Sequence, residues 1–314
     1  VYNGAMCIWT PIIGKFKILK ETLTFSGDKH IWQDDQGKDN IGAKFGIILT
    51  NQIFNEGVIS LDVKFKKIDF RSSCQIIFNY DPTTGNYMYA GISSRNPMFE
   101  IGAYINGKLE TYKSGGQHEN LTAGKTYNIK LTLKGSWLRL LIDGVHVLTH
   151  VLPYNIVQTQ VGMLCMGQTD IKVSNYKVVS EKPKVFMIMQ FSDKYNDIYE
   201  NVVKEVCNSK DFDLNVFKAD EIYGPGIIIT DIIRYINESK IIIAEISPAN
   251  ANVYYEVGYA HALNKPTILI AEKDSKPPFD ISPFRVLFYE NTIAGKKKVQ
   301  DGLKKHLDSI LNSN

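Results

Sequence analysis

The hydrophobic period of this 314-residue chain changes once, at "SEKPK" (residues 180–184), and that change limits the possible folds more than any other feature. Before it, short runs alternate apolar and polar residues, the pattern of half-buried strands. "VISLDVKFKKI" alternates clearly, and "CQIIFNY" and "YMYAGISS" are short runs rich in β-forming residues. "YINGKLETY" turns on Asn106-Gly107 and "LRLLIDGVHVLTHV" on Asp143-Gly144. These dipeptides accept the positive φ angles of a type I′ hairpin. No long helical pattern interrupts them, so residues 1–179 are expected to form packed antiparallel sheets or a barrel.

After the boundary, "VFMIMQF" is a continuous apolar run, as a parallel strand covered on both faces should be. "DIYENVVKEVCNS" then carries helical spacing through Ile198, Val202, Val203 and Val206. Strand "LNVFKA", helix "GIIITDIIRYINES", strand "KIIIAEIS", helix "NVYYEVGYAHALN", strands "PTILIAE" and "RVLFYE", and helix "VQDGLKKHLDSIL" follow. Such alternation predicts βαβ units, giving residues 184–314 an α/β fold with a flavodoxin-like parallel five-stranded sheet.

Composition removes several classes of function. A net charge of +3, from 36 basic and 33 acidic residues, supplies no concentrated basic face for nucleic acid. The one basic run, Lys296-Lys297-Lys298, reads as a solvated helix start. Cys7, Cys74, Cys165 and Cys207 are scattered without a CxxC or Cys/His cluster, which predicts structural thiols and neither a metal site nor a disulfide framework. No signal-peptide pattern and no apolar run of membrane-spanning length is present, so the expectation is a soluble, cytoplasmic protein without a membrane partner.

One residue of "NVYYEVGYAHALN" breaks the amphipathic pattern. Glu256 falls on the stripe of Val253, Val257 and Ala260, where an ionised group is costly unless compensated. Ligands of open parallel sheets sit beyond the carboxyl ends of the strands, and this helix starts just there, with Asn250 or Asn252 as its cap. The carboxyl is expected to be desolvated and raised in pKa. Gly258, inside the helix, suggests close packing or ligand approach. Asp231, at the start of the preceding crossover helix, faces the same end of the sheet. Two carboxylates converging on one crevice suit glycosidic chemistry, although an acid in a first turn is also favoured by the helix dipole alone.

The segments "FMIMQFSDKYNDIYENV", "FKADEI", "TDIIRYINES", "IIIAEISPANANVYYEVGYAHALNKPTILIAE" and "PFDISPFRVLFY" resemble the superfamily that joins nucleoside 2-deoxyribosyltransferases with TIR and TIR-like domains of prokaryotic immunity. That resemblance implies cleavage of an N-glycosidic bond, with Glu256 as the catalytic glutamate, Asp231 as a substrate-binding acid, and Met189, Gln190 and Phe191 as a pocket wall. Deoxyribosyltransferases present a further acid before the glutamate, whereas this chain reads "SPANAN". The departure favours NAD as substrate rather than cofactor, with no cofactor required. Ser247, Asn252, Tyr255 and Arg285 complete the candidate binding residues, Tyr255 and Tyr259 as ring-stacking candidates and Arg285 as a phosphate or ion-pair partner. His261 lies one residue off the inner stripe, and residues 222–229 form a weak phosphate-cradle candidate.

The first half resembles concanavalin-A-like jelly rolls of the laminin-G kind through "TYNIKLTLKGSWLRLLIDGVHVLTHV", which implies a jelly-roll sandwich that senses an activating ligand or assembles a homo-oligomer. Trp32 and Trp137 read as core residues there. Three functions follow from the two resemblances: an NAD glycohydrolase or ADP-ribose cyclase in antiviral defence, a nucleoside deoxyribosyltransferase or hydrolase, and a non-catalytic nucleotide or carbohydrate sensor.

Overall fold

A computed structural model describes residues 7–33, 35–117, 121–152, 156–219, 228–281 and 283–312. The chain divides into two compact units. The first comprises Val1–Leu133, Trp137–Val151 and Gln158–Glu181; the second comprises Lys182–Asn314 with Lys134–Ser136 and Leu152–Val157.

The first unit is an antiparallel β-sandwich. Its strands are β1 (Trp9–Ile13), β2 (Phe16–Leu19), β3 (Thr22–Phe25), β4 (Lys29–Gln33), β5 (Asp39–Phe54), β6 (Gly57–Phe65), β7 (Ser73–Phe78), β8 (Tyr87–Ser93), β9 (Phe99–Ile105), β10 (Lys108–Gly115), β11 (Thr126–Lys134), β12 (Trp137–Ile142), β13 (Val145–Val151), β14 (Thr159–Gly167) and β15 (Ile171–Ser180). One sheet runs β1-β5-β14-β7-β8-β9-β10 with β4 on β5, and the other runs β13-β12-β11-β6-β15-β3-β2. Strand β6 buries every second residue, as a sheet with one covered face requires, whereas β7 and β8 are buried throughout. Both expected hairpins form: φ is +50° and +83° at Asn106-Gly107, and +50° and +79° at Asp143-Gly144.

Trp32 departs from its expected place in the core. All five residues of β4 are exposed, and Trp32 stacks on His30 at 5.5 Å. An aromatic residue in a β-run does not reveal whether its strand faces the core or forms an outlying hairpin. Trp137 is half-buried, with the Arg139 guanidinium 4.7 Å over its ring. The four cysteines are free thiols, and Cys74 stands directly opposite Cys165 across β7 and β14.

The second unit is α/β. Its sheet follows the order β17 (Asn215–Lys218), β16 (Lys184–Ile188), β18 (Ile241–Glu245), β19 (Thr267–Glu272), β20 (Val286–Tyr289), and every pair is parallel. This is the flavodoxin-like order that the alternating pattern predicts. The continuous apolar runs of β16 and β18 are explained by helices on both faces. On one face pack α1 (Asp193–Ile198), a π-helical turn (Tyr199–Val203), α2 (Lys204–Cys207) and α5 (Ile293–Asn312). On the other pack α3 (Ile228–Glu238) and α4 (Ala251–Ala262). The Lys265 ammonium donates to the carbonyls of Asn237 and Ser239, both at 2.7 Å, and so closes the carboxyl end of α3. Lys296, expected to be solvated, is part-buried and ion-paired with Asp197.

Candidate functional site

Strand order reverses between β16 and β18, because β17 lies on one side of β16 and β18 on the other. Parallel sheets place ligands at such a point. Two segments meet there through one side chain. Asn250 caps α4, its Oδ1 accepting from the backbone N–H groups of Asn252 (2.9 Å) and Val253 (3.4 Å). Its Nδ2 donates to Gln190 Oε1 at 3.1 Å and so ties the segment after β16 to the start of α4. A cap of this kind stabilises a helix by about 1 kcal/mol.

Glu256 is the sixth residue of the capped helix. Val253, Val257 and Ala260 are buried against the sheet, and Glu256 is half-buried beside them. Among the described residues no hydrogen bond or ion pair reaches its carboxyl. Burial alone therefore acts on it, and pushes it up to about 7. A half-dry carboxyl near neutrality, on the first turns of a helix at the mouth of a parallel sheet, is equipped to face a positive charge or to exchange a proton.

The other expected residues divide by what holds them. Asp231 lies in the first turn of α3, its Oδ1 2.8 Å from the Arg234 guanidinium one turn on. Met189 is buried in the core with Tyr195 and Tyr289, so its side chain is withheld from a ligand. Phe191 and Tyr255 are 54% and 56% exposed, two uncovered rings following β16 and on α4. Asn252 and Arg285 are exposed. The Tyr259 hydroxyl accepts from Asn237 Nδ2 at 3.3 Å, which makes it a link between α3 and α4. His261 stacks on Phe284 with centroids 4.3 Å apart, and burial lowers its imidazole pKa. Gly258 has no packing reason: a methyl group there would meet nothing within 4 Å. Residues 222–227 of the phosphate-cradle candidate lie outside the described residues.

A second carboxyl escapes the sequence reading. Glu245 ends β18 and is 1% exposed. Its Oε1 accepts from the Ser247 N–H at 2.7 Å, while its Oε2 is sealed without a hydrogen bond. Burial pushes this carboxyl up to about 8, partly opposed by hydrogen bonding from Ser247 and by the neighbouring Tyr289 hydroxyl. The Tyr289 hydroxyl is likewise sealed and lies next to the Glu245 carboxyl; burial first, and then Glu245, raise its pKa. Tyr289, but not Glu245, borders a cleft of about 500 Å³ whose walls include Lys194, Ser247, Tyr254, Glu272 and Asn291. Ser247 borders this cleft rather than a space shared with Glu256; its Oγ accepts from the Glu272 N–H at 2.8 Å and joins the ends of β18 and β19. Glu256 does not border that cleft.

The described residues contain no group of three side chains arranged to hold a metal ion, and no helix among them is long and apolar enough to cross a membrane.

No protein-family model matches the chain. No curated protein matches it either. Solved structures are similar over about half of it, in the sandwich unit. A carbohydrate-binding module, CBM66 from Bacillus subtilis, is 15% identical, covers 54% of this chain and 92% of its own, and has a TM-score of 0.44. The laminarinase catalytic domain from Thermotoga maritima is 11% identical over 55% of this chain and 92% of its own, with a TM-score of 0.38. A β-1,3-1,4-glucanase from a mouse hindgut metagenome is 10% identical over 56% and 92%, with a TM-score of 0.37. Likenesses of this size concern the course of the backbone and leave ligands to be argued from this chain's own residues.

Proposed function

We propose that the second unit cleaves the N-glycosidic bond of a nucleotide, NAD being the substrate, as a TIR-like effector of prokaryotic antiviral defence. The observation that carries this reading is the Glu256 carboxyl, half-buried, without a partner among the described residues and pushed up to about 7 by burial. As nicotinamide leaves, positive charge grows on the ribose, and an ionised carboxylate in a poorly solvated place stabilises that charge far better than one in water. Glu256 either faces the ribosyl cation or attacks its anomeric carbon. Water then gives ADP-ribose, and a nucleophile on the same ligand gives a cyclic product. The exposed rings of Phe191 and Tyr255 supply stacking surfaces, and the Asn250–Gln190 bond fixes the segment between them.

Deoxyribosyl transfer is the weaker reading. The position that would hold a further acid before the glutamate belongs here to "SPANAN", whose Asn250 is occupied by the helix cap and Gln190. The sandwich unit is assigned the control of activity, through an activating ligand or through assembly of copies of the chain.

Incubation with NAD, with and without extract of infected bacteria, followed by chromatography of the products, tests the reading. Nicotinamide release that disappears in Glu256→Gln, with the circular dichroism spectrum retained, is expected. Unchanged release in that variant would overturn it, and base exchange between deoxynucleosides would replace it with transfer.

A further inference from the structure

We propose that the β4–β5 ribbon of the sandwich unit is a dimerisation arm, and that its occupant is the same ribbon of a second copy of the chain, paired β4 to β4 antiparallel about Ile31. This names a surface for the assembly of copies assigned to that unit. It stands apart from the N-glycosidase reading, which concerns the other unit.

The ribbon is an unsupported pair of strands. Lys29–Gln33 pairs with residues 39–43, and among the described residues β4 has no second strand beside it. A two-stranded ribbon is marginal in water, and further strands over a shared apolar face are what make it stable. This one exposes its apolar side chains instead. Ile31 and Ile41, directly opposite each other, are 60% and 58% exposed, and Trp32 is 40% exposed. Edge strands that avoid pairing carry bulges, prolines or central charges. β4 pairs without a bulge, has no proline and holds its one lysine at the end.

The free edge also selects its register. The Lys44 N–H donates to the Asp28 carbonyl at 2.9 Å, and the Lys29 N–H donates to Asp28 Oδ1 at 2.8 Å. Because an antiparallel ladder bonds alternate residues, His30 and Trp32 then face β5, and the backbone groups of Ile31 and Gln33 face outward. A two-fold axis at Ile31 lets the two Ile31 residues exchange N–H and C=O bonds, and brings each Gln33 N–H to the Lys29 carbonyl of the other copy. On one face Ile41, Ile31 and their counterparts then form a continuous aliphatic row. On the other each Trp32 meets a His30, the same two rings that stack at 5.5 Å within one chain. Charge agrees with this orientation. The tip holds Asp35 and Asp39 against Lys38, and the base holds Lys29 and Lys44 against Asp28, so antiparallel pairing lays an acidic tip along a basic base.

Sedimentation equilibrium of the full chain from about 1 to about 100 μM tests the arm, because a strand pair this short buries less than the roughly 800 Å² per partner of a standard interface and should dissociate in the micromolar range. A dimer is expected in the parent chain. Ile31→Lys, which sets two ammoniums face to face at the axis, should weaken it about tenfold or more, whereas Val179→Lys, at a similarly exposed residue of β15, should not. The register is read separately. Diamide, which accepts the two thiol hydrogens, should link Ile31→Cys chains in pairs on a non-reducing gel, because bonded partners lie about 5.5 Å apart at Cα, within disulfide reach. Trp32→Cys, which faces His30 and not its own counterpart, should link no more than the parent does. A monomer at every concentration overturns the proposal, as does a dimer that survives Ile31→Lys or equal linking by the two cysteine variants. Should Ile31→Lys lose its circular dichroism spectrum, the cysteine pair decides. Neither readout involves NAD, so the two proposals fail separately.

Discussion

Glu245 and Glu256 belong to opposite faces of one parallel sheet. Along β18, Ile241 and Ile243 point to the face covered by α1, α2 and α5, and Glu245 continues their alternation; Ile242 and Ala244 point to the face where α4 carries Glu256. Both carboxyls are raised chiefly by burial, to about 8 and about 7. Their surroundings differ. Glu245 is pinned through Oε1 by the Ser247 N–H, whereas Glu256 is held by no hydrogen bond among the described residues and can turn toward a ligand.

Glu256 must be ionised to stabilise a ribosyl cation, and its free-enzyme pKa is near 7. The kcat/KM for NAD should therefore fall about tenfold per unit as pH drops below about 6, and level off above about 8. This limb is read by initial rates of nicotinamide release across pH 5–9. A flat profile there would remove Glu256 from the role of ionised catalyst.

Glu245 gives a stability signature instead. A carboxyl whose folded pKa is raised above its unfolded value favours the folded state below about 4.5, and that contribution is lost as pH rises through about 8. Above that pH the parent holds a buried charge that Glu245→Gln lacks. The variant should therefore melt several degrees higher than the parent at pH 9, with the difference shrinking or reversing at pH 5. Thermal denaturation at the two pH values checks the sign.

Asp231 separates two roles that its position allows. The pair with Arg234 is partly exposed and one turn long, so breaking it from either side should cost under about 1 kcal/mol. If Asp231 also contacts the substrate, Asp231→Asn raises KM for NAD several-fold while Arg234→Met does not. Equal kinetics in both variants would leave Asp231 as a helix-terminal charge and no more.

What the sequence disclosed follows from local physics. Asn-Gly and Asp-Gly fixed two hairpins because positive φ is a property of those few residues, and continuous apolar runs marked the central strands because helices cover both their faces. Asn250 was legible as a cap by its residue type and position. Glu245 was not, since an acid closing an apolar run reads as the first solvated residue after a strand. Its burial comes from surroundings that include Tyr289, distant in sequence. The available signal was its register with Ile241 and Ile243, which continues their inward face. Trp32 was misplaced for the converse reason: residue type suggested a core, but β4 pairs only at the outer hairpin with β5.

Gly258 offers the cleanest separation of stability from ligand binding. Its residue type suggests a close approach, yet the side of α4 it occupies is exposed and open. Glycine inside a helix is about 1 kcal/mol worse than alanine, chiefly through the freedom it retains when unfolded. Gly258→Ala should therefore raise the melting temperature by about 2–4 °C. If no ligand uses that face, kcat and KM for NAD stay at the parent values. A melting temperature that rises together with a KM raised tenfold would instead place part of the substrate against the outer side of α4, next to the exposed Tyr255 ring, and would move the binding surface outward from the crevice.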